Sequence, residues 1–254
     1  MTTIPYLRPG WRDPLYPEPS ADRLRVEERL LPWLGVDGAL GGRRSLAELV
    51  AGGSVAPGVA STLARLARSR ASLLVIGGPS GCGKTTLLEA LLPWYPPADR
   101  RIRLRGAGES FVWSRQPGFN PGATVVVAEE ISGHLPSYLW GPAVDTFLGL
   151  GNRGAALIAT AHAEDPAGVV RLLCGYPLRL SISRVATFDV IIGLVTDEGE
   201  IRSRIGEAWV PREVPGGGVV FEPVDLGGSP LVMPERLRCR LDGQPDDGQF
   251  LVVP

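Results

Sequence analysis

The join at residues 73–86, where the apolar run LLVI passes into GGPSGCGKTT, narrows the folds open to this chain more than any other feature. A short unbroken apolar run bounded by glycine reads as a strand buried on both faces, the condition of a parallel sheet. Helix-forming residues follow from Thr85 to Leu92, and Pro93 stops them. A buried strand handing over to a helix through a glycine-rich turn is half of a βαβ unit, so the chain is expected to be α/β.

The turn itself, GPSGCGKT at 78–85, fits GxxxxGK[ST] and lies where that pattern has mechanical sense, after a strand and at a helix start. Gly78, Gly81 and Gly83 let the backbone curl with its N–H groups pointing inward, and the helix N-terminus adds partial positive charge. Pro79, Ser80 and Cys82 complete the loop. Lys84 is expected to bridge the β- and γ-phosphates of ATP. Thr85 would place its hydroxyl on Mg²⁺, and Thr86 would support the α-phosphate end. Composition sharpens the reading of Lys84, because it is the only lysine among 26 basic residues. Arginine serves wherever charge alone is needed, but a compact ammonium is not interchangeable with a guanidinium at a crowded site.

Hydrolysis requires a carboxylate on a neighbouring strand end. VVVAEE at 125–130 supplies Glu129 and Glu130, either to hold Mg²⁺ through water or to orient the attacking water; the alternative is a strand end carrying two solvated glutamates. Another apolar run at 157–161 delivers His162 to a strand end, where open α/β sheets place ligand groups. Only His134 and His162 are present. A lone histidine is usually structural, yet Thr160 and His162 stand where they would contact a γ-phosphate or report its loss.

Further strands are expected at 102–104, 125–128, 157–160 and 190–194. A helix should run from the Asp165-Pro166 cap to Cys174, closed by Gly175. Upstream, an arm of twenty residues precedes an amphipathic helix at 21–34, then helices at 45–51, with Ser45 as N-cap, and 57–70. Beyond Thr196 the pattern changes to antiparallel hairpins. Asp197-Glu198-Gly199 turns the chain between 190–194 and 201–205, and a glycine-rich turn separates 207–210 from 219–221. The expected division is an N-terminal arm and helices at 1–70, a nucleotide-binding core at 71–196 and a β extension at 197–254.

The formal charge of -1 with no polybasic tail makes neither nucleic acid nor an anionic membrane a default partner. The run Arg100, Arg101, Arg103 and Arg105 either touches phosphates or faces solvent on an edge strand, the second being the simpler reading. Cys82, Cys174 and Cys239 are odd in number and unclustered, which argues against a disulfide framework and suits a reducing cytosol. No apolar run approaches the roughly 20 residues of a membrane span, and the N-terminus lacks the apolar stretch of a secretory signal. A cytoplasmic protein is expected.

Three blocks then carry a family pattern. RSLAELVAGG at 44–53 with the following helix and GGPSGCGKTTLLEALLPW, VVVAEEIS at 125–132, and GNRGAALIATAHAEDP at 151–166 resemble the ATPases of type II and type IV secretion and pilus assembly, nearest the tight-adherence and conjugation branch. The likeness extends from residue 44 to 222. It implies a RecA-like P-loop NTPase with a mostly parallel sheet flanked by helices, Glu130 as the catalytic glutamate, and Thr160 and His162 as the histidine box. It also implies a homo-oligomeric ring such as a hexamer, working cytoplasmically or peripherally at the inner face of the membrane with secretion or pilus platform proteins. The chain departs from the pattern at Arg105-Gly106, where the family carries acids. Only Glu109 remains of that acidic box, the family's arginines that act across subunits are not evident apart from Arg115 as a remnant, and the larger N-terminal sensing domain is reduced to an arm and a helix. Other readings therefore stand beside the motor: a nucleotide-binding switch or scaffold, an NTPase of a mobile element acting on nucleic acid, and a small-molecule kinase, for which no acceptor pocket or arginine-rich lid is evident.

Overall fold

The computed structural model describes residues 44–228 except 79–80 and 197–202. The expected helix at 21–34, the arm before it, Pro79, Ser80, the turn at 197–199 and Cys239 lie outside the described residues.

The described chain enters through two short helices. In α1, Leu46–Ala51, the Ser45 hydroxyl accepts from the Glu48 N–H at 3.2 Å while the Glu48 carboxylate accepts from the Ser45 N–H at 2.6 Å. This reciprocal box satisfies two donors that every helix start leaves open. Helix α2, Pro57–Arg68, opens on proline and buries Ala60, Leu63, Ala64, Leu66 and Ala67, the spacing of one helical face. It ends before the expected limit. Arg70 turns left-handed at φ 63° and donates from its guanidinium to the carbonyls of Pro121 and Thr124, each at 3.1 Å.

Strand β1, Leu73–Ile76, is fully buried, and helix α3, Lys84–Leu91, follows the glycine loop before a 3₁₀ turn at Leu92–Trp94. The remaining elements are β2 (Arg100–Arg103), β3 (Thr124–Ile131), α4 (Pro142–Asn152), β4 (Ala156–Ala161), α5 (Pro166–Cys174), β5 (Val190–Thr196), β6 (Ser203–Val214) and β7 (Gly218–Pro223). They form one seven-stranded sheet in the order β2-β3-β4-β1-β5-β6-β7. The first five are parallel neighbours, and β6 and β7 continue the sheet antiparallel. This is a RecA-like α/β fold: the order β5-β1-β4-β3-β2 inserts β4 between the strand before the glycine loop and the strand that carries the two glutamates.

Alternation along the parallel strands separates two cores. Val75, Val125, Val127, Ile158 and Ile192 pack with α1, α2 and α3, while Ile76, Val126, Ala128, Leu157 and Ala159 pack with α4 and α5. Three buried polar side chains join the elements through hydrogen bonds. The Asp189 carboxylate accepts from the Ser72 N–H at 2.7 Å, the Ser72 hydroxyl accepts from the Leu157 N–H at 3.1 Å, and the Tyr95 hydroxyl donates to the Ala71 carbonyl at 2.8 Å.

Helix α4 was not among the expected elements. Its interior Gly149 and Gly151 each cost about 1 kcal/mol relative to alanine, which hides the helix from propensity. Close packing explains Gly151, since a Cβ there would stand 2.4 Å from Thr187 and 2.9 Å from Leu157. Strand β2 begins two residues earlier than expected, at Arg100. Its arginines are not a solvated row. Arg101 donates to the carbonyls of Tyr95 and Asp99, and Arg103 pairs with Glu89 and Glu129. Burial lowers the pKa of both Arg100 and Arg101.

Candidate functional site

The carboxyl ends of β1, β3 and β4 open onto one crevice, the place where parallel α/β sheets receive ligands. At the end of β1 the backbone leaves no room for side chains. A Cβ on Gly77 would lie 2.6 Å from the Cys82 sulfur, and one on Gly78 would lie 2.8 Å from a Glu164 carboxylate oxygen. Gly81 and Gly83 take φ of 81° and 87°, left-handed values that cost a residue with a Cβ about 1–2 kcal/mol. Gly83 also caps α3, and no side chain caps the N–H groups of the first helical turn.

Lys84 starts α3 and is buried, an unusual placement for a lysine. Its ammonium folds back to donate to the Gly77 carbonyl at 3.4 Å and to the Cys82 sulfur at 3.8 Å. It also stands 3.5 Å from His162 Nδ1, which lies 3.2 Å from the Gly78 carbonyl oxygen. Nδ1 accepts from Lys84 in one tautomer and donates to Gly78 in the other. On the other side of the ring, Nε2 is 3.2 Å from Glu130 Oε1. That approach is at ion-pair distance without hydrogen-bond alignment, and Oε1 is a buried oxygen with no hydrogen-bond partner. A buried carboxylate oxygen lacking a donor is costly, and a water placed against it would remove the cost.

The structure thus brings Gly78, Cys82, Lys84, His162 and Glu130 together. Thr85 is exposed at the loop's mouth and Thr86 half-buried behind it. Thr160 donates its hydroxyl to the Glu129 carbonyl, tying β4 to the end of β3 where the register shifts between Ala128 and Ile131. The Glu129 carboxylate accepts from Arg103, whose guanidinium also reaches Glu89 on α3. Glu109 has a local role. Its carboxylate accepts from the N–H groups of Arg105 and Phe111 and from the Trp113 indole, at 3.1–3.3 Å, and so organises a turn. Arg115 is exposed at the end of the 3₁₀ turn Val112–Arg115.

Several neighbours escaped sequence reasoning. The segment 132–139 leaves β3 and returns, with the Leu139 N–H donating to the Glu130 carbonyl at 2.8 Å. It brings the His134 ring within 6.1 Å of His162. It also carries Tyr138, whose hydroxyl pKa is raised by burial and then by the charges of Glu130 and Glu129. Beside Gly81, Gly83 and Thr86 lies a cavity of about 380 Å³ walled by Leu49, Val55, Leu87, Leu194 and Ile205, with Arg44, Ser54 and Ser203 on its lining. Pairing of β6 with β5 builds its far wall, a contact no local pattern announces.

Among the described residues no group of three or more His, Cys, Asp or Glu side chains is placed to hold a metal ion unaided. The oxygen donors present, the Thr85 hydroxyl with the Glu129 and Glu130 carboxylates, suit a hard cation that draws its other ligands from phosphate and water, as Mg²⁺ does.

No protein-family model matches the chain. Over 121 residues it is 29% identical to the cytochrome c biogenesis ATP-binding export protein CcmA of Rhizobium meliloti (strain 1021), a stretch that covers 47% of this chain and 56% of that protein. The chain therefore spans about half the length of that curated relative. Among solved structures it is similar to the VirB11 ATPase from the Brucella suis type IV secretion system in complex with sulphate. That similarity has 17% identity and a TM-score of 0.44, over 78% of this chain and 65% of that one. Among the described residues no helix is long and apolar enough to cross a membrane.

Proposed function

We propose that the chain binds MgATP across Gly78 to Thr86 and hydrolyses it, and that the cycle moves subunits of a secretion, conjugation or pilus-assembly machine. The observation that carries this reading is the line from Lys84 through His162 to the unsatisfied Glu130 oxygen at the mouth of a glycine loop. The match to a relative described as ATP-binding supports the ligand class. The machine rests on the resemblance of the three sequence blocks, which also suggests a ring of identical subunits at the inner face of a membrane, docked on platform proteins.

In this reading the inward N–H groups and the Lys84 ammonium hold the β- and γ-phosphates, and Lys84 exchanges its Gly77 carbonyl partner for phosphate oxygen. Thr85 and Glu129 hold Mg²⁺, which when bound neutralises charge on the phosphates. Glu130 orients the attacking water at its open oxygen and accepts its proton. His162, touching both Lys84 and Glu130, senses whether the γ-phosphate is present. Thr86 leads to the 380 Å³ cavity, whose apolar walls accept the base.

Steady-state ATP hydrolysis and nucleotide binding should be measured for the wild type, Lys84→Ala and Glu130→Gln. Turnover by the wild type, loss of binding in Lys84→Ala, and retained binding with turnover reduced about 10²–10⁴-fold in Glu130→Gln is the expected pattern. A second reading, a nucleotide-dependent switch or scaffold, is favoured by the engagement of Glu129 with Arg103 and of Glu109 with backbone donors. Wild-type binding without turnover at any protein concentration would establish it, and absence of binding would refute both readings.

A further inference from the structure

We propose that Arg103 is a positioning residue that competes with the divalent cation for Glu129, so that the cation requirement is set by a guanidinium shared between two carboxylates. The proposal rests on the reading of Glu129 as the cation's carboxylate. Three elements meet in this contact. Arg103 ends β2, Glu129 lies near the end of the adjacent β3, and Glu89 stands on α3. One guanidinium nitrogen of Arg103 donates to Glu129 and the other to Glu89.

The placement of Glu89 makes the arrangement a switch rather than a fixed pair. Glu89 follows Thr85 by four residues on α3, so both lie on one helix face, one turn apart. The guanidinium that reaches Glu89 therefore holds Glu129 beside the helix face that carries Thr85. With Arg103 engaged, the Glu129 charge is already compensated and a cation arriving with nucleotide must displace the guanidinium. Arg103 is not stranded by that exchange, because Glu89, whose carboxylate is 11% exposed, continues to pair with it. Glu129, at 39% exposed, is the more solvated partner and the one that gives way. Nothing in the sequence pattern signals this contact. Arg103 and Glu89 are 14 residues apart and Arg103 and Glu129 are 26 apart.

The two ends of the bridge predict opposite effects. Binding of a fluorescent ATP analogue should be followed at increasing Mg²⁺ for the wild type, Arg103→Gln, Arg103→Lys and Glu89→Gln, with circular dichroism to confirm folding. Arg103→Gln frees Glu129 and should lower the half-saturating Mg²⁺ about three- to tenfold, the scale of a partly exposed ion pair. Arg103→Lys keeps the charge and should fall between Arg103→Gln and the wild type. Glu89→Gln leaves the guanidinium committed to Glu129 and should raise the requirement by a similar factor. In a Glu129→Gln background the Arg103→Gln shift should disappear. Shifts of the same sign at Arg103 and Glu89, or an Arg103 shift that persists without the Glu129 carboxylate, would overturn the proposal even if Arg103→Gln alone proved unstable. Nucleotide binding with unchanged Mg²⁺ dependence in every variant defeats the proposal alone, whereas a wild type that binds no nucleotide at any Mg²⁺ defeats the phosphate-cradle reading and the proposal with it.

Discussion

Gly77→Ala tests whether the glycine loop is shaped by packing as well as by backbone freedom. Gly77 is outside the left-handed region, so alanine is admissible there on conformational grounds. The obstacle is steric. The new methyl would sit 2.6 Å from the buried Cys82 sulfur and 3.5 Å from the Cβ and carbonyl oxygen of Leu194. An ordinary contact needs about 3.5–4.0 Å, so the sulfur or the strand end must move by about 1 Å. Overpacking of this kind costs about 1–3 kcal/mol, offset by about 0.4–1 kcal/mol because alanine restricts the unfolded chain. The net loss is about 1–2 kcal/mol, which for a chain of this size lowers Tm by about 2–8 °C. Thermal and urea unfolding of Gly77→Ala, Cys82→Ala and the double variant would read the coupling directly. With the sulfur removed, Gly77→Ala should become neutral or slightly stabilising. An equal loss in both backgrounds would refute the steric account and move the cost to the backbone. Nucleotide binding should follow the same cycle, because Cys82 lies 3.8 Å from the Lys84 ammonium and shifts with it.

Two further outcomes concern the scaffold. Ser45→Ala removes the capping box of α1 and should cost about 1 kcal/mol, read by urea unfolding at neutral pH. The backbone N–H and then the hydroxyl of Ser45 hold the Glu48 carboxyl below its ordinary range. Its contribution is therefore present above the ordinary carboxylate pKa and lost as pH falls through the lowered value, so Ser45→Ala, which keeps the backbone donor and loses the hydroxyl, should flatten the acid limb of the stability profile in part. Tyr95→Phe strips the buried Ala71 carbonyl of its 2.8 Å donor while keeping the ring, and should destabilise by about 1–2 kcal/mol in the same assay without changing nucleotide affinity.

The glycine loop and the strand before it were legible because their signals are local. β1 spans the same four residues that the apolar run marked, and the α5 cap at Asp165 accepts from the Gly168 N–H as its Asp-Pro start implies. Of the three glycines expected to let the loop curl, Gly81 and Gly83 adopt left-handed backbone and Gly78 does not. A strand's hydrophobicity, a cap and a required φ are properties of a few consecutive residues, so one sequence suffices to read them. Helix α4 was hidden because its two interior glycines lower its propensity, and the contacts of Gly151 with Thr187 and Leu157 that require one of them exist only in the folded chain. The arginines of β2 looked like a solvent-facing row because alternation does not reveal which carboxylates approach from other elements. The tertiary fold alone decided that Arg103 joins Glu89 to Glu129, that His162 stands between Lys84 and Glu130, and that β6 closes a cavity beside Thr86. Such pairings depend on strand order and register, and these are set by the packing of the whole sheet rather than by any segment within it.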